Sequence, residues 1–213
     1  MKPSTEYHAF PNRESRSQFV SIRFADYLKS SVLDIGCYEA PLRELLPNIQ
    51  YIGVDFVGSP DIELNLESVE KLPFDDSTYD CVICIEVLEH LNNLHVIFDE
   101  LVRVSSKYVI VSLPNCWRDA RVPIERGKGQ FAHYGLPVDA PKDRHKWFFN
   151  ASESMSFFTS QAKRQNLNIV DVFYTEKPKN SAIKWLRKIR YPGDKYHNRY
   201  AQTTWVVFER QQG

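Results

Sequence analysis

A glycine and an aspartate, each at the end of a short apolar segment, have the residue types and spacing to hold a ribose. Gly36 follows residues 32–35, and Asp55 lies near the end of residues 51–56, about 20 positions further along the chain. Glycine permits a sharp backbone turn, and a carboxylate at that distance can accept hydrogen bonds from both ribose hydroxyls. An aspartate at a strand end also often caps a turn, and this is the alternative for Asp55. The pair predicts a nucleotide-type binding turn.

A second set of polar residues follows the apolar segment at residues 79–85. The sequence EVLEHL at residues 86–91 interrupts the apolar run with two glutamates and His90. If the segment is a strand of a parallel sheet, these side chains lie at its carboxyl end, where open parallel sheets bind their ligands. Residues 86–91 are therefore a candidate ligand-binding position.

The elements that must position these residues alternate between strands and helices. Apolar and β-branched runs predict strands at residues 32–35, 51–56, 62–66, 79–85, 107–113, 168–174 and 203–208. Helical spacing of apolar residues predicts helices at residues 12–29, 42–46, 93–104 and 152–165. The first helix is expected to cover one edge of the sheet, using Phe19, Ile22, Phe24 and Leu28. This alternation, with right-handed crossovers, predicts an α/β fold with a doubly wound parallel sheet.

The composition predicts one domain without a strong charge. The chain has 213 residues, of which 43% are hydrophobic, and its 27 basic residues balance 27 acidic ones. A chain of this length can bury one core, and no break in composition divides it, so residues 1–213 are predicted to form a single domain. Zero net charge gives no general footprint for nucleic acid, and a small-molecule partner is expected.

Neither a targeting segment nor a metal site is expected. The first ten residues are polar and charged, and no run approaches the roughly 18 apolar residues of a membrane span. The prediction is a cytoplasmic protein without an integral membrane segment. Cys81 and Cys84 form a C-x-x-C pair, but their spacing within a strand points them to opposite faces of the sheet. Buried free thiols are therefore favoured over a metal or redox site.

Two later segments lack the pattern of core elements. Residues 116–150 are rich in glycine, proline, histidine and aromatic residues, and are predicted to be an irregular lid or acceptor-site segment. Residues 177–199 are basic and also contain Ile183, Trp185 and Leu186. They are predicted to form a basic insertion that caps the site before the last strand. Attachment to a membrane or another anionic partner is the alternative.

Four motifs in this order resemble class I S-adenosylmethionine-dependent methyltransferases, in particular the type 11-like members. They are VLDIGC at residues 32–37, Asp55 at a strand end, LPFDDSTYD at residues 72–80 and EVLEHL at residues 86–91. The resemblance covers residues 30–115 in specific motifs. It implies a transferase that methylates its acceptor and uses S-adenosyl-L-methionine as cofactor. It also implies a Rossmann-like sheet of seven strands, mostly parallel with an antiparallel last strand.

The resemblance further implies which residues contact the cofactor. Asp34 and Gly36 shape the loop under the methionine part, and Asp55 holds the ribose. The other cofactor contacts implied are Phe56, Asn65 and Leu66 around the adenine, Glu86 and Val87 on the sulfonium side, and His90 near the cofactor. A plain structural role is the alternative for the histidine. Carboxylates suit this position because the sulfonium and the α-amino group of the cofactor are cationic.

The cofactor loop departs from the family at two positions. The family usually has glycine where this chain has Tyr38 and Ala40, so the turn reads G-C-Y-E-A. Glycine permits a close approach of the backbone to the ligand, whereas a tyrosine side chain must point elsewhere or occupy ligand space. Retained binding through Tyr38 is expected, and a non-catalytic scaffold that binds the cofactor is the alternative. The absence of G-x-G-x-x-G argues against a nicotinamide-dependent dehydrogenase.

The residues after the fifth predicted strand suggest an acceptor site. Methyl transfer is an in-line displacement, and an oxygen acceptor usually needs a base to take its proton. His133 or His145 is expected to be this base, Asp143 to orient it, and Tyr134 or Trp147 to form a wall. The competing interpretation is that the aspartate caps a helix, the neighbouring basic side chains are solvated, and the aromatic side chains belong to the core. Short strings here resemble methyltransferases of bacterial glycan pathways, so the expected acceptor is a small molecule or a glycan-type intermediate.

Overall fold

One sheet forms the centre of the molecule in a computed structural model, which describes residues 2–131, 133–141 and 143–211. Its eight strands are β1 (Ser4–Tyr7), β2 (Ser31–Ile35), β3 (Gln50–Asp55), β4 (Ile62–Glu63), β5 (Tyr79–Ile85), β6 (Ser105–Pro114), β7 (Leu167–Glu176) and β8 (Thr203–Arg210). They lie in the order β1-β7-β8-β6-β5-β2-β3-β4. Strand β8 is antiparallel to β6 and β7, and the other neighbours pair in parallel. The predicted fold class is confirmed, with one strand more than expected.

Helices cover both faces of the sheet. They are α1 (Arg13–Arg23), α2 (Pro41–Leu45), α3 (Leu94–Val104), α4 (Cys116–Arg126), α5 (Ala151–Arg164), α6 (Ser181–Arg190) and α7 (Asp194–Tyr200). Phe98 of α3 and Phe158 of α5 pack on one face of the sheet, and Phe19 of α1 and Leu42 of α2 pack on the other. The sheet is therefore buried between two helical layers, as a doubly wound fold requires.

Local signals in the sequence explain where several helices begin. The side chain of Asn12 accepts a hydrogen bond from the backbone of Ser15, and Asn150 does the same for α5, so both helices start with a capping box. Pro41 occupies the start of α2, where its missing N–H group costs nothing. These local signals determine the residues at which α1, α2 and α5 begin.

The carboxyl ends of the parallel strands meet at one edge of the sheet, which we call the carboxyl edge. Strands β2, β3, β5, β6 and β7 end there, and the antiparallel β8 begins there at Thr203, opposite Pro114. The N-terminus of α1 lies at this edge too, because Arg16 contacts Glu86, the first residue after β5. The turn after β2, Asp55 and residues 86–91 are thereby brought to the same side of the molecule.

The first helix differs from its prediction in length and position. It ends at Arg23, and its aromatic face packs against Phe173 and Trp205 in the middle of a sheet face, not along an edge. Phe19 and Phe24 are buried as expected, but the side chain of Ile22 is 79% exposed. Ile22 lies within the helix but on the side opposite the buried Val20, so it falls outside the packed stripe.

The segment predicted to be irregular and the one predicted to be a basic insertion are both partly helical. Residues 116–126 form α4, which begins where Asn115 accepts from the backbone of Arg118 and ends at Gly127 in the left-handed region. Pro123, which suggested a loop, lies within this helix. Residues 177–199 contain α6 and α7.

The edges of the sheet also differ from the prediction. Strand β1 is an added edge strand, and its four residues are too few to give a recognisable pattern. The strand predicted at residues 62–66 is limited to Ile62–Glu63, because Asn65 caps a short 3-10 helix of one turn at Leu66–Ser68.

The cysteine prediction is confirmed, and the helices have no membrane-spanning character. Cys81 packs in the core with α1 and α2, and Cys84 packs in the core on the opposite face. Both are free thiols and are buried, as are Cys37 and Cys116. Within the described ranges, no helix combines the length and the apolar character needed to span a membrane.

Candidate active site

The turn after β2 requires glycine for two independent reasons. Gly36 has a φ of +82°, and a Cβ atom at this position would lie 2.2 Å from Cγ2 of Val87. The Gly36 N–H donates to the carbonyl of Val54 at 2.8 Å, which holds the turn against β3. Val87 therefore lies directly over the turn, and the two predicted cofactor segments touch.

The two residues that replace glycine in this loop keep the left-handed backbone conformation that glycine favours. Tyr38 has a φ of +53° and Ala40 a φ of +48°. This left-handed conformation costs an L-residue about 1–2 kcal/mol. The Tyr38 ring lies against Arg13, whose guanidinium carbon is 4.1 Å from the ring centroid, and the side chain is 38% exposed. The tyrosine thus extends toward the start of α1, and the loop keeps its turn.

Asp55 connects three backbone positions in the two loops. Its Oδ2 accepts from the N–H of Tyr38 at 2.8 Å, and its Oδ1 accepts from those of Phe56 at 2.7 Å and Val57 at 3.2 Å. The turn-capping role is therefore present. Each carboxylate oxygen can accept more than one hydrogen bond, so these contacts leave acceptor capacity for ribose hydroxyls. The adjacent Phe56 side chain is 53% exposed, which leaves its ring available to a ligand.

Asp34 lies behind the loop in a buried setting. Its Oδ2 accepts a hydrogen bond from the Tyr51 hydroxyl at 2.6 Å. Burial raises the pKa of Asp34 to about 7, and the Tyr51 hydrogen bond opposes this rise. A cationic group bound above the loop would favour the ionised carboxylate.

The two residues predicted at the adenine are placed differently from each other. Asn65 is exposed, and its side chain accepts from the backbone N–H of Glu67 at 3.0 Å. The side chain of Leu66 is buried in the core beside Leu72, so only its backbone can face a ligand. The structure therefore does not bring the Leu66 side chain to the candidate site.

Glu86 joins three elements at the carboxyl edge. It has a φ of +53°, and its Oε1 accepts from the Thr203 hydroxyl at 2.7 Å. Its Oε2 contacts the guanidinium of Arg16. Together with Asp34 and Asp55, it gives this edge the carboxylates that suit a cationic ligand.

The histidines predicted from the sequence form one cluster beside these residues. The rings of His133 and His145 stack with centroids 4.2 Å apart, and the His90 ring lies edge-on to His145 at 4.5 Å. His90 belongs to the 3-10 turn Leu88–His90, directly after Glu86 and Val87. The cofactor and acceptor segments are therefore contiguous.

Tyr134 fixes the ring of His145. Its hydroxyl donates to the carbonyl of Trp147 at 2.6 Å and lies 3.0 Å from Nδ1 of His145. The hydroxyl has one hydrogen and also lies 2.8 Å from Sγ of Cys116, so its donation to Trp147 fits the His145 tautomer that donates from Nδ1 and keeps a lone pair on Nε2. Burial, with smaller contributions from the other two cluster histidines, lowers the pKa of His145 to about 3. The imidazole is therefore neutral and weakly basic.

Trp147 and Asp143 have contacts that differ from the prediction. The indole N–H of Trp147 donates to the carbonyl of Leu91 at 2.7 Å, which ties the later segment to the end of β5. Asp143 Oδ1 lies 2.5 Å from Nδ1 of His90. The structure thus brings the predicted orienting carboxylate to His90, and not to His133 or His145.

Three side chains in the cluster have the donor types of a metal site. Glu89, His90 and His145 each place one potential ligand atom within 4.8 Å of the other two. Glu89 is 1% exposed, and its Oε2 has no hydrogen-bond partner. Burial, followed by repulsion from Glu86, raises the pKa of Glu89 well above its ordinary value. A carboxyl group in this position is either protonated or paired with a cation.

Sequence reasoning assigned no individual role to Arg13, Arg16 or Glu89. The arginines reach the site from α1, which precedes it by many residues, and no local pattern links them to Tyr38 or Glu86. Glu89 could have been found, because it neighbours His90 in the EVLEHL segment. Its lack of a partner is visible only in three dimensions.

Known proteins share both the central motifs and the fold. Residues 33–111 match the family described as methyltransferase domain. No curated protein matches the chain. The small RNA methyltransferase HEN1 is similar in structure, with a TM-score of 0.61 and 18% identity, and the alignment covers 100% of this chain and 27% of HEN1.

Two smaller proteins align over nearly their full length. The methyltransferase domain of bacterial CtHen1-C has a TM-score of 0.61 at 18% identity, with 94% of this chain and 99% of that domain covered. A methyltransferase dependent on S-adenosylmethionine from Archaeoglobus fulgidus has a TM-score of 0.62 at 17% identity, with 93% and 95% covered. Likenesses at this level of identity concern the fold.

The central motifs and the doubly wound sheet together define a methyltransferase. The match over residues 33–111 and the shared fold support a class I S-adenosylmethionine-dependent methyltransferase, for which S-adenosylmethionine is the implied cofactor. The predicted fold is confirmed, and these matches support the predicted family and cofactor. The roles of individual site residues stay predictions.

Proposed function

We propose that this enzyme transfers a methyl group from S-adenosylmethionine to an oxygen of a small molecule or glycan-type intermediate. The observation that carries the proposal is the histidine cluster at the end of β5, which directly follows the Glu86 and Val87 segment. An oxygen acceptor must lose a proton during transfer, and imidazoles beside the cofactor loop are suited to receive it.

The carboxyl edge has the chemistry needed to hold the cofactor. Asp55 would bind the ribose and Phe56 would cover the adenine, while Glu86 would face the sulfonium. The loop at Gly36 would lie under the methionine part, and the contact with Val87 leaves no room for a side chain there. When bound, the cofactor supplies an activated methyl group for in-line displacement. The protein residues would orient the acceptor and exclude water.

Within the cluster, His133 is the better candidate for the proton acceptor. It is exposed, whereas His145 is half-buried, weakly basic and held by Tyr134. We therefore assign His133 to the proton and His145 to its support through stacking. Asp143 would position His90. Residues 116–150 would provide the acceptor walls of a single methyltransferase domain, residues 1–213.

A product-based assay with a panel of acceptors tests this proposal. Formation of S-adenosylhomocysteine would be measured with hydroxylated sugars, sugar phosphates and small RNA as candidate acceptors. With the active acceptor, His133→Ala should lower kcat by about 100-fold, the usual contribution of a general base. His95→Ala, an exposed histidine outside the cluster, is the matched control. Unchanged turnover in His133→Ala would remove the assignment.

The same cluster supports a second candidate chemistry, in which a divalent cation orients the acceptor oxygen. The supporting observation is the buried Glu89 Oε2, which has no partner and lies beside His90 and His145. The contacts from Asp143 and Tyr134 leave Nε2 of both histidines facing away from those partners, as metal-bound imidazoles require. Histidine and carboxylate ligands suit ions such as zinc or manganese.

Metal depletion separates the two chemistries. Protein stripped with a chelator would be assayed before and after addition of manganese or zinc, next to Glu89→Gln. Activity that is lost on stripping, restored by the ion and absent in the variant supports the cation. Full activity in the stripped enzyme would exclude a required cation and leave the base assignment in place.

Two alternatives are outcomes of the same experiments. RNA enters the panel because HEN1 is a small RNA methyltransferase, and methylation of RNA alone would overturn the small-molecule proposal. Binding of S-adenosylmethionine without turnover of any acceptor would favour a non-catalytic scaffold.

A further inference from the structure

We propose that α6 docks this enzyme on an anionic lipid surface. The starting observation is that its amphipathic pattern is inverted with respect to the molecule. Helix α6 has no buried residue, although it contains four large hydrophobic side chains. A surface helix normally turns its apolar stripe toward the core.

The cationic side of α6 faces the protein. Nζ of Lys184 lies 3.8 Å from the centroid of the Tyr7 ring, and the guanidinium carbon of Arg187 lies 4.2 Å from that of Tyr200. Nη1 of Arg187 is also 3.4 Å from Oε1 of Glu176, the last residue of β7. The helix is thus attached to the sheet by its positive side chains.

The apolar side of α6 faces away from the protein. The exposed fractions are 43% for Ile183, 63% for Trp185, 58% for Leu186 and 61% for Ile189. At 3.6 residues per turn these four positions share one side, opposite Lys184 and Arg187. A contiguous apolar patch of this kind marks an interaction surface.

The surrounding charge favours an anionic bilayer as the occupant. Residues 177–195 contain seven lysine and arginine residues and one acidic residue, Asp194. The exposed cations around the patch are Lys177, Lys179, Lys188, Arg190 and Lys195. A second copy of the chain would bring the same positive charge to this surface and be repelled. Tryptophan and aliphatic residues ringed by lysine and arginine are the composition of helices that lie in the interface of anionic membranes.

The position of α6 connects docking to catalysis. The helix follows β7 at the carboxyl edge, the edge that also holds the candidate active site. Docking there would favour an acceptor hydroxyl carried by a membrane-borne molecule, such as a lipid-linked glycan. This extension rests on the proposed function, whereas the docking itself does not.

Vesicle co-sedimentation tests the docking. The full chain would be mixed with vesicles of phosphatidylcholine, or of phosphatidylcholine and phosphatidylglycerol in equal parts. We expect retention on the anionic vesicles, and at least about tenfold weaker partition of a Trp185→Ser, Ile189→Ser double variant. Ile22→Ser, which alters an exposed isoleucine on α1, is the matched control and should bind like the unmodified chain.

Further measurements separate docking from folding and from the cofactor site. Circular dichroism melts should show that the double variant folds, and calorimetry should show unchanged binding of S-adenosylmethionine. Equal retention on neutral and anionic vesicles, or undiminished binding of the double variant, would overturn the proposal. A dimer that the double variant abolishes would instead identify a second copy as the occupant. If the unmodified chain did not bind S-adenosylmethionine, the enzyme assignment would be contradicted, and the docking result would still stand.

Discussion

At the residue scale, the sequence locates the loop but not the direction of its side chains. The departures at Tyr38 and Ala40 are visible in the sequence, and the strain they imply follows from their chirality. The contact between Tyr38 and Arg13 was not predictable, because it joins a loop to a helix with no shared motif. The same holds for Glu86, whose partners Arg16 and Thr203 come from opposite ends of the chain.

Ala40→Gly should be tolerated better than the same substitution at a buried alanine without backbone strain. Both substitutions remove a buried methyl group and add freedom to the unfolded chain, but only Ala40→Gly relieves a left-handed strain of about 1–2 kcal/mol. Ala162→Gly, near the end of α5, should therefore lower the free energy of unfolding by about 1–2 kcal/mol more than Ala40→Gly does. Urea unfolding of both variants gives the difference. Equal losses would contradict the strain.

Asp34 should make stability depend on pH. Its pKa is about 7 in the folded protein against an ordinary value of 3.8, so the folded state holds a proton that the unfolded state has released. The free energy of unfolding of the cofactor-free enzyme should therefore fall as pH rises from about 4 to about 7.

Replacement of Asp34 isolates this dependence. Asp34→Asn should flatten the profile, because asparagine can still accept the Tyr51 hydrogen bond without titrating. Asp26→Asn changes a carboxylate whose side chain is 93% exposed and should leave the profile unchanged. Identical slopes in Asp34→Asn and the unmodified chain would show that Asp34 is ionised throughout.

Glu86 should discriminate between the cofactor and its product. Only S-adenosylmethionine has the sulfonium charge, so Glu86→Gln should weaken its binding more than that of S-adenosylhomocysteine, by up to about tenfold. Calorimetry with both ligands gives the ratio. Glu70→Gln, which changes an exposed carboxylate outside the segments assigned to the cofactor, is the control. An equal loss for both ligands would place Glu86 away from the sulfonium.

At the element scale, strong periodic patterns in the sequence were sufficient to predict a helix or strand, and weak patterns were not. Strands β2, β3 and β5 and helix α3 follow from runs of apolar residues with clear ends. Helix α4 was missed because Pro123 and a polar composition hide its pattern, and because Asn115 caps it using contacts distant in sequence. Helix α6 was predicted only as an amphipathic turn or two within the basic insertion, because its short apolar pattern lies among charged residues.

Asn115 should contribute more to the free energy of unfolding than an ordinary helix cap does. It is fully buried and accepts from the backbone of Arg118, and its two Nδ2 hydrogens are shared among the carbonyls of His197, Asn198 and Ala201, all within 3.1 Å. Asn115→Ala removes the cap and leaves buried carbonyls unpaired, so it should lower the free energy of unfolding by about 2–4 kcal/mol.

An exposed cap provides the comparison for this loss. Asn180 caps α6 by accepting from Ala182 at 2.8 Å, and Asn180→Ala should cost about 1 kcal/mol or less. Urea unfolding of both variants gives the difference. Equal losses would mean that the contacts from α4 to α7 contribute little.

At the scale of the whole molecule, the order of strands explains why distant motifs act together. Parallel strands β2, β3 and β5 are neighbours, so their carboxyl ends place Gly36, Asp55 and Glu86 at one edge. This arrangement follows from the class of fold, which the motifs predicted. The way α1, α6 and the described residues between α4 and α5 are arranged at that edge does not, because it depends on contacts between elements with no sequence signature.

The most direct test of this account is calorimetric titration of S-adenosylmethionine and S-adenosylhomocysteine into the unmodified chain and Asp55→Ala. We predict saturable binding of both ligands to the unmodified chain, at least about tenfold weaker binding to Asp55→Ala, and normal binding to the surface variant Asp26→Ala. Thermal melts would confirm that the variants are folded. No binding of either ligand to the unmodified chain at millimolar concentration would contradict the assignment of a working methyltransferase.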